Sequence, residues 1–339
     1  MGKCLVTKLN GAVTNDKLLH IGECVIGVES SSADELLFQV NLGNSEYYCE
    51  QTHKLGEENV SGGVKKVVND WKDLKSISAG LYRFHFLGKY NINGLLNKNK
   101  KGINEINQFT FLNNITQVGL NLNTEFPLDA LKPSTGLKII SLKGNVTGDI
   151  SSLKNMTAVT SLTVNSTNIT GDISSLKNLT ATTNLIINST NVTGDISSLK
   201  NLTALTNLSG KFFINGKAEE LRMLPKLETF DCENAVNNGD FGDIALLPVN
   251  FKYLNLGKNA SISWSSRPST SKIIGILGLP TLSNIDKMLQ DQAQCVTGIT
   301  SSTPEYMKSI TATGTRTSAS DAAVQTLQSK GYTVSITPA

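Results

Sequence analysis

One eight-residue sequence, Gly-Asp-Ile-Ser-Ser-Leu-Lys-Asn, occurs three times in this chain and constrains its fold more than any other feature. The copies occupy positions 148–155, 171–178 and 194–201, and each begins 23 residues after the preceding one. A single unit of this length cannot bury its own apolar face, so neighbouring units must stack and share a core. The repeat therefore predicts a solenoid.

The same spacing extends beyond the three copies. One apolar strand position recurs every 22 to 24 residues, at Leu120, Leu142, Val164, Ile187, Gly210, Cys232 and Leu256. Ile274 and Ile276 indicate one more strand. Two amphipathic helices are predicted at about 282–292 and 320–330, with Gly331 as a helix stop and a closing strand at 332–336.

Between the copies, the pattern Leu179-x-x-Thr182-x-x-Leu185-x-Ile187-x-x-Thr190 resembles the leucine-rich repeat, L-x-x-L-x-L-x-x-N/C-x-L. Thr167 and Thr190 take the place of the Asn of that family. The near-identical coils also resemble leucine-rich-repeat proteins of Bacteroides-type gut bacteria and their phages, of which the bacterial members are BspA-like surface adhesins. The resemblance covers about residues 103–339 and implies an α/β leucine-rich-repeat solenoid with short parallel strands.

The first 100 residues have a different pattern. Alternating apolar and polar residues, as at 81–86, are separated by Gly- and Asn-containing turns, which predicts a small mainly-β domain built as a sandwich or barrel. The segment 97–102, Asn-Lys-Asn-Lys-Lys-Gly, has the composition of a linker. We therefore predict two domains, a β-rich domain at 1–100 for anchoring or capping, and a solenoid with a helical C-terminal cap at 101–339.

Composition excludes several functions. Only 17% of the residues are charged and the net charge is +3, which is too weak for a protein that binds nucleic acid through its phosphates. The three histidines lie in the first 100 residues without a catalytic motif, and the five cysteines form no C-x-x-C pair. We expect no enzyme activity, no cofactor and no metal site. No apolar run is long enough to span a membrane, and the N-terminus does not read as an export signal.

Stacking places equivalent residues of successive coils in rows, and the strand residues between the apolar positions form the predicted concave face. These residues are Ser161, Thr163, Asn165, Asn184, Ile186, Asn188, Asn207, Ser209, Lys211, Thr229, Asp231, Tyr253 and Asn255. Two interpretations remain open: the face recognises a protein or glycan, or Thr and Asn merely suit an exposed sheet and the solenoid is a spacer. Asp149, Asp172 and Asp195 form another row, which we expect to pair with Lys154, Lys177 and Lys200 in surface ion pairs.

The resemblance, together with the lack of an export signal, favours a phage virion surface protein. Residues 1–100 would then dock on other virion proteins, and the solenoid would meet a host surface protein or glycan. The alternative is an adhesin or interaction scaffold on a bacterial cell surface. A homo-oligomer is compatible with either.

Overall fold

The computed structural model describes residues 115–166, 168–188, 191–211, 213–232, 239–256, 260–296 and 300–338, together with the strands of the first 106 residues. The chain divides into two compact units, Met1–Thr147 and Gly148–Ala339. The domain boundary near residue 100 stays a prediction.

The first unit is built from strands, as expected for a mainly-β segment. They are β1 Lys3–Leu5, β2 Leu18–His20, β3 Cys24–Ser30, β4 Leu36–Asn41, β5 Glu46–Cys49, β6 His53–Leu55, β7 Glu58–Val60, β8 Lys65–Lys66, β9 Lys72–Ser76, β10 Gly80–Leu87, β11 Gly94–Asn97, β12 Ile103–Ile106, β13 Gln117–Pro127 and β14 Ile139–Asp149. The first ten strands pair antiparallel, for example β3 with β10. The sequence prediction of which residues face inwards on β4 and β10 concerns side chains outside the described residues.

The change from antiparallel to parallel pairing takes place inside this unit. Strand β11 pairs antiparallel with β4 on one side and parallel with β13 on the other. Strand β13 then pairs parallel with β14, with Leu120 opposite Leu142. Both residues belong to the recurring apolar position, and both are buried, so the periodic spacing already sets the register here.

The second unit consists of coils that each contain a strand, a turn and a short return. Its strands are β15 Ser161–Asn165, β16 Ile169–Asp172, β17 Asn184–Ile187, β18 Val192–Asp195, β19 Asn207–Gly210, β20 Phe213–Asn215, β21 Thr229–Cys232, β22 Asp240–Asp243, β23 Tyr253–Leu256, β24 Ser261–Ser263, β25 Gly275–Leu277, β26 Thr281–Leu282, β27 Ser309–Thr313 and β28 Thr333–Thr337. The helices are α1 Ala218–Leu221, α2 Ile285–Gln294 and α3 Asp321–Ser329. Short 3-10 helices replace longer helices on the return of most coils, at Ile150–Leu153, Ile173–Leu176, Ile196–Leu199 and Ile244–Leu246.

All strand pairs of the second unit are parallel. Strands β15, β17, β19, β21, β23, β25, β27 and β28 follow one another in that order. Shorter strands on the far side of the turn form parallel ladders of their own, β16–β18–β20 and β22–β24–β26. This is the predicted leucine-rich-repeat solenoid fold.

The core consists of rows that run from coil to coil. One row contains Leu162, Leu185, Leu208, Phe230, Leu254, Ile276 and Ile310, each at most 1% exposed. These residues lie directly opposite one another in the parallel register. Each buried side chain contributes roughly 1.5–3 kcal/mol relative to exposure, and it obtains that burial from the coils on both sides.

The predicted ion pairs between the Asp row and the Lys row are wrong. Asp149, Asp172 and Asp195 instead cap the 3-10 helices, each accepting a hydrogen bond from the backbone N–H two residues later at 2.7, 2.7 and 2.8 Å. In the described part of the chain, none of the three carboxylates forms an ion pair with Lys154, Lys177 or Lys200, which are exposed. The unpaired N–H groups at a helix start lie closer to the carboxylate than a mobile Lys five residues on.

The glycine that precedes each capping Asp makes room for the cap of the previous coil. Gly171 has φ +106°, and a Cβ there would lie 2.6 Å from the Asp149 Oδ1 atom. At Gly194, with φ +138°, a Cβ would meet Ile173 Cγ2 at 2.7 Å and Asp172 Oδ1 at 3.0 Å. The Gly-Asp pair of the repeat is therefore one contact between two neighbouring coils.

The C-terminal helices lie close to their predicted positions. The first begins at Ile285 because Leu282 belongs to β26. Asp286 at its start joins α2 to the segment before α3: its carboxylate accepts hydrogen bonds from the Thr317 N–H (3.0 Å), the Thr317 hydroxyl (2.6 Å) and the Ser320 hydroxyl (2.6 Å). Gly331, with φ +89°, follows α3 as predicted.

Buried polar groups connect α2 to the last coils. Asp291 accepts hydrogen bonds from the Trp264 indole N–H at 3.0 Å and the Arg267 backbone N–H at 3.1 Å, and it pairs with Lys287. The Arg267 side chain, 4% exposed, donates to the carbonyl oxygens of Ala245, Leu247, Pro248 and Lys272 at 3.1–3.3 Å. Burial lowers the pKa of Arg267 to about 10, so its charge is kept at neutral pH and stabilised by carbonyl dipoles.

Replacing Gly171 with Ala tests the contact between coils. The new Cβ meets the Asp149 carboxylate at 2.6 Å and a left-handed backbone, so we expect the free energy of unfolding to fall by about 1–3 kcal/mol. Gly136→Ala is the control, because a Cβ there has no neighbour within 4 Å and stability should stay equal or rise by up to about 1 kcal/mol. Urea unfolding followed by circular dichroism measures both. Equal effects of the two substitutions would contradict the packing described.

Acid should loosen the C-terminal helices through Asp286. Hydrogen bonds from Ser320 and Thr317 hold the pKa of the Asp286 carboxyl below its ordinary value, so its stabilisation is present above the unfolded pKa of about 3.9 and is lost as pH falls through the folded pKa. Asp286→Asn should lower stability at pH 7 and reduce the further loss on acidification. Urea unfolding between pH 7 and pH 3 measures this difference. Glu305→Gln removes a carboxylate whose side chain is 90% exposed and should keep the original pH profile; the same profile for Asp286→Asn would refute the role of Asp286.

Candidate binding face

Five parallel strands of the second unit carry the residues predicted to form the binding face. We call this surface the strand face; it consists of the outward-facing residues of β15, β17, β19, β21 and β23. In β15, half-buried Ser161 and Thr163 alternate with buried Leu162 and Val164. The same alternation in β17, β19 and β21 turns every second side chain outwards, so these four strands present their predicted residues together.

The register arranges the face into two rows. The first row contains Ser161, Asn184, Asn207, Thr229 and Tyr253. The second contains Thr163, Ile186, Ser209, Asp231 and Asn255. Neighbouring members of a row are therefore separated by the strand spacing of about 4.8 Å.

Side-chain hydrogen bonds run along both rows. The Asn207 Nδ2 donates to the Asn184 Oδ1 at 2.7 Å, and the Asn184 Nδ2 donates to the Ser161 Oγ at 3.2 Å. In the second row, the Asn255 Nδ2 donates to the Asp231 Oδ1 at 2.8 Å. A carboxamide has two donor hydrogens and two acceptor lone pairs, so each amide is held in place and still has groups free to bind a partner.

A third outward position lies where the strands end. It contains Asn165, Asn188 and Lys211. The backbone N–H of Asn188 donates to the Val164 carbonyl at 2.8 Å, and that of Lys211 donates to the Ile187 carbonyl at 3.1 Å. The backbone at these positions is therefore ordered although the Asn165 and Lys211 side chains are exposed.

Tyr253 does not contribute an exposed ring to the strand face. It is 2% exposed, and the ring of Tyr306 packs edge-on against it at a centroid distance of 5.1 Å. Tyr306 comes from the 3-10 helix Glu305–Lys308, which lies outside the repeat register, so the coil spacing could not indicate the contact. The exposed aromatic of this region is Tyr306, at 49%.

A cleft of about 330 Å³ lies at the end of the first row. Its lining includes Thr229 of the row, the hydroxyl-bearing Thr300 and Ser302, and the apolar Met307. Lys252 and Glu228, also in the lining, form an ion pair at 2.9 Å. Glu228 and Lys252 each directly precede a first-row residue, so the sequence spacing could have identified them.

The described residues hold no group of three or more His, Cys, Asp or Glu side chains that could bind a metal. Cys232 and Cys295 are buried free thiols, and burial raises the pKa of both, in agreement with their interpretation as small apolar core residues. The side chains of the three histidines lie outside the described residues. No helix in the described ranges has the length and apolar character needed to cross a membrane.

Comparison with known proteins gives structural matches only. No family model matches the chain, and the search of curated proteins found no match. An internalin C2 from Listeria monocytogenes is similar with a TM-score of 0.40 at 22% identity, over 62% of this chain and 81% of that one. An internalin F from the same species has a TM-score of 0.32 at 16% identity, over 69% of this chain and 85% of that one.

Proposed function

We propose that the strand face is a recognition surface for a protein partner, and that the chain is a non-enzymatic adhesin or interaction scaffold at a bacterial cell surface. The observation that carries the proposal is the row Ser161–Asn184–Asn207, in which neighbouring polar side chains hold each other in fixed orientations. A surface whose hydrogen-bonding groups are already ordered loses little conformational entropy on binding.

The chemistry of the face favours a neutral partner surface. Hydroxyl and amide groups dominate its centre, and the apolar Ile186 side chain is half-buried among them. Charged side chains are found towards one end, at Lys211, Asp231, Glu228 and Lys252. Because contacts between uncharged groups are insensitive to ionic screening, binding through the centre of the face should depend weakly on salt.

Tyr306 adds an aromatic contact beside this polar surface. Its ring is anchored against Tyr253 and remains 49% exposed. Tyrosines of this kind are frequent among the residues that dominate protein–protein binding energy. A recognition role uses the ring and the ordered amides, whereas a spacer would need neither.

Substitution at the centre of the strand face tests recognition. Ile186→Arg places a long cation among the ordered amides, and we expect it to reduce binding of the fluorescently labelled chain to cultured epithelial cells at least tenfold. Thr203→Arg is the matched control, because Thr203 is exposed on the return side of its coil, and binding should be retained. Flow cytometry measures both variants, and trypsin or periodate treatment of the cells tells a protein receptor from a glycan.

Three outcomes would contradict the proposal. Equal loss of binding in both variants would remove the strand face as the contact surface. Binding that survives trypsin and is lost after periodate would replace the protein partner with a glycan. Absence of binding by the unsubstituted chain would contradict the adhesin role.

The virion-surface role stays a prediction, supported by the sequence resemblance alone. Mass spectrometry of purified phage particles and of bacterial outer-membrane fractions separates the two locations. We expect the chain in the membrane fraction; its presence in particles alone would favour the virion role.

A further inference from the structure

Strand β28 has a free edge. It pairs parallel with β27 over its whole length, and in the described ranges of the second unit no other strand pairs with it. The Gly314 N–H donates to the Thr337 carbonyl at 2.9 Å, so the backbone groups of Thr337, and by alternation of Ser335 and Thr333, point towards β27. Those of Val334 and Ile336 therefore point to the free edge.

The core rows reach this edge and are left incomplete. Ile276 and Ile310 are fully buried, and Val334 is the next member of their row. Ile336 likewise lies opposite the fully buried Ala312. Both Val334 and Ile336 are only half-buried, and they line a cleft of about 350 Å³ together with Val324 of α3 and Arg316.

The edge lacks the features that usually prevent strand pairing. Proteins protect free edges with Lys, Pro or a β-bulge, but β28 reads Thr-Val-Ser-Ile-Thr, and Pro338 only follows it. The nearby Lys330 is engaged elsewhere, since its Nζ donates to the Ala293 and Cys295 carbonyls at 2.7 and 3.1 Å. A strand of uncharged, mostly β-branched residues is well suited to pair with another strand.

We propose that β28 pairs antiparallel with β28 of a second copy, about a two-fold axis at Ser335. The strand is self-complementary in this arrangement, because Thr333 faces Thr337 of the second copy and Val334 faces its Ile336. Pairs of β-branched residues directly opposite one another are favourable. The N–H and C=O groups of Val334 and Ile336, which point outwards, exchange hydrogen bonds with their counterparts, while Ser335 forms the non-hydrogen-bonded pair at the centre.

A two-fold interface also explains why a free edge need not lead to fibres. Pairing of β28 with itself uses the edge in both copies and closes the assembly, whereas addition of β28 to a different edge would continue without limit. The Val–Ile pairs lie on the core side, so each copy continues the rows of the other. The proposal is independent of what the strand face binds.

A disulfide across the axis tests this geometry in the full chain. Residues at a non-hydrogen-bonded pair have Cα atoms about 4.5 Å apart, which lies within the range for a disulfide. Ser335→Cys should give a covalent dimer under mild oxidation, with the 335–335 linkage identified by mass spectrometry. Thr333→Cys is the control, since it faces Thr337 and should form no linkage to itself.

Charge substitution tests the same pairing by its effect on association. Ser335→Lys places two cations directly opposite each other and should weaken self-association about tenfold in sedimentation equilibrium, and Ser335→Glu should act alike. An equimolar mixture of the two variants should recover the dimer, which also shows that both are folded. A monomeric unsubstituted chain overturns the proposal, and so does a dimer that tolerates Ser335→Lys and gives no linkage at 335.

Discussion

No coil of this solenoid can bury its core alone, and most features of the structure follow from that constraint. Each apolar residue of a row needs the equivalent residue of the coils before and after it, so the spacing of 22 to 24 residues is fixed by contact and not by composition. Parallel pairing in register is the consequence, because only equivalent residues then lie opposite one another. The polar rows of the strand face arise in the same way, as the outward side of the same strands.

The contacts between coils are of two kinds. In the near-identical coils, each cap is local, and the glycine of the next coil simply leaves space for the preceding Asp. Towards the C-terminus, single residues connect several segments: Arg267 binds carbonyls of Ala245, Leu247, Pro248 and Lys272, and Asp291 holds Trp264 and the Arg267 backbone. The first kind is repeated in each coil, and the second occurs once and locks a particular set of segments together.

Sequence periodicity predicted what depends on equivalence between coils. The core row, the parallel strands and the outward position of the Asn184 and Asn207 side chains all follow from spacing. It could not predict contacts made by segments outside the register. Tyr253 is buried because Tyr306 returns from a helix some fifty residues later, and α2 begins late because Leu282 pairs with Ile262. The Asp row was assigned to the wrong partner, since spacing shows which side chains align but not that backbone N–H groups compete for them.

The interchangeable contacts of the Gly-Asp coils have a consequence for variation in chain length. Loss or gain of one 23-residue unit between Gly148 and Asn201 would bring an identical cap against an identical glycine, and every row would stay aligned. The strand face would become shorter or longer by one spacing of about 4.8 Å, while the segments locked by Arg267 and Asp291 would be untouched. The reach of the molecule can thus be adjusted in discrete steps without designing a new contact.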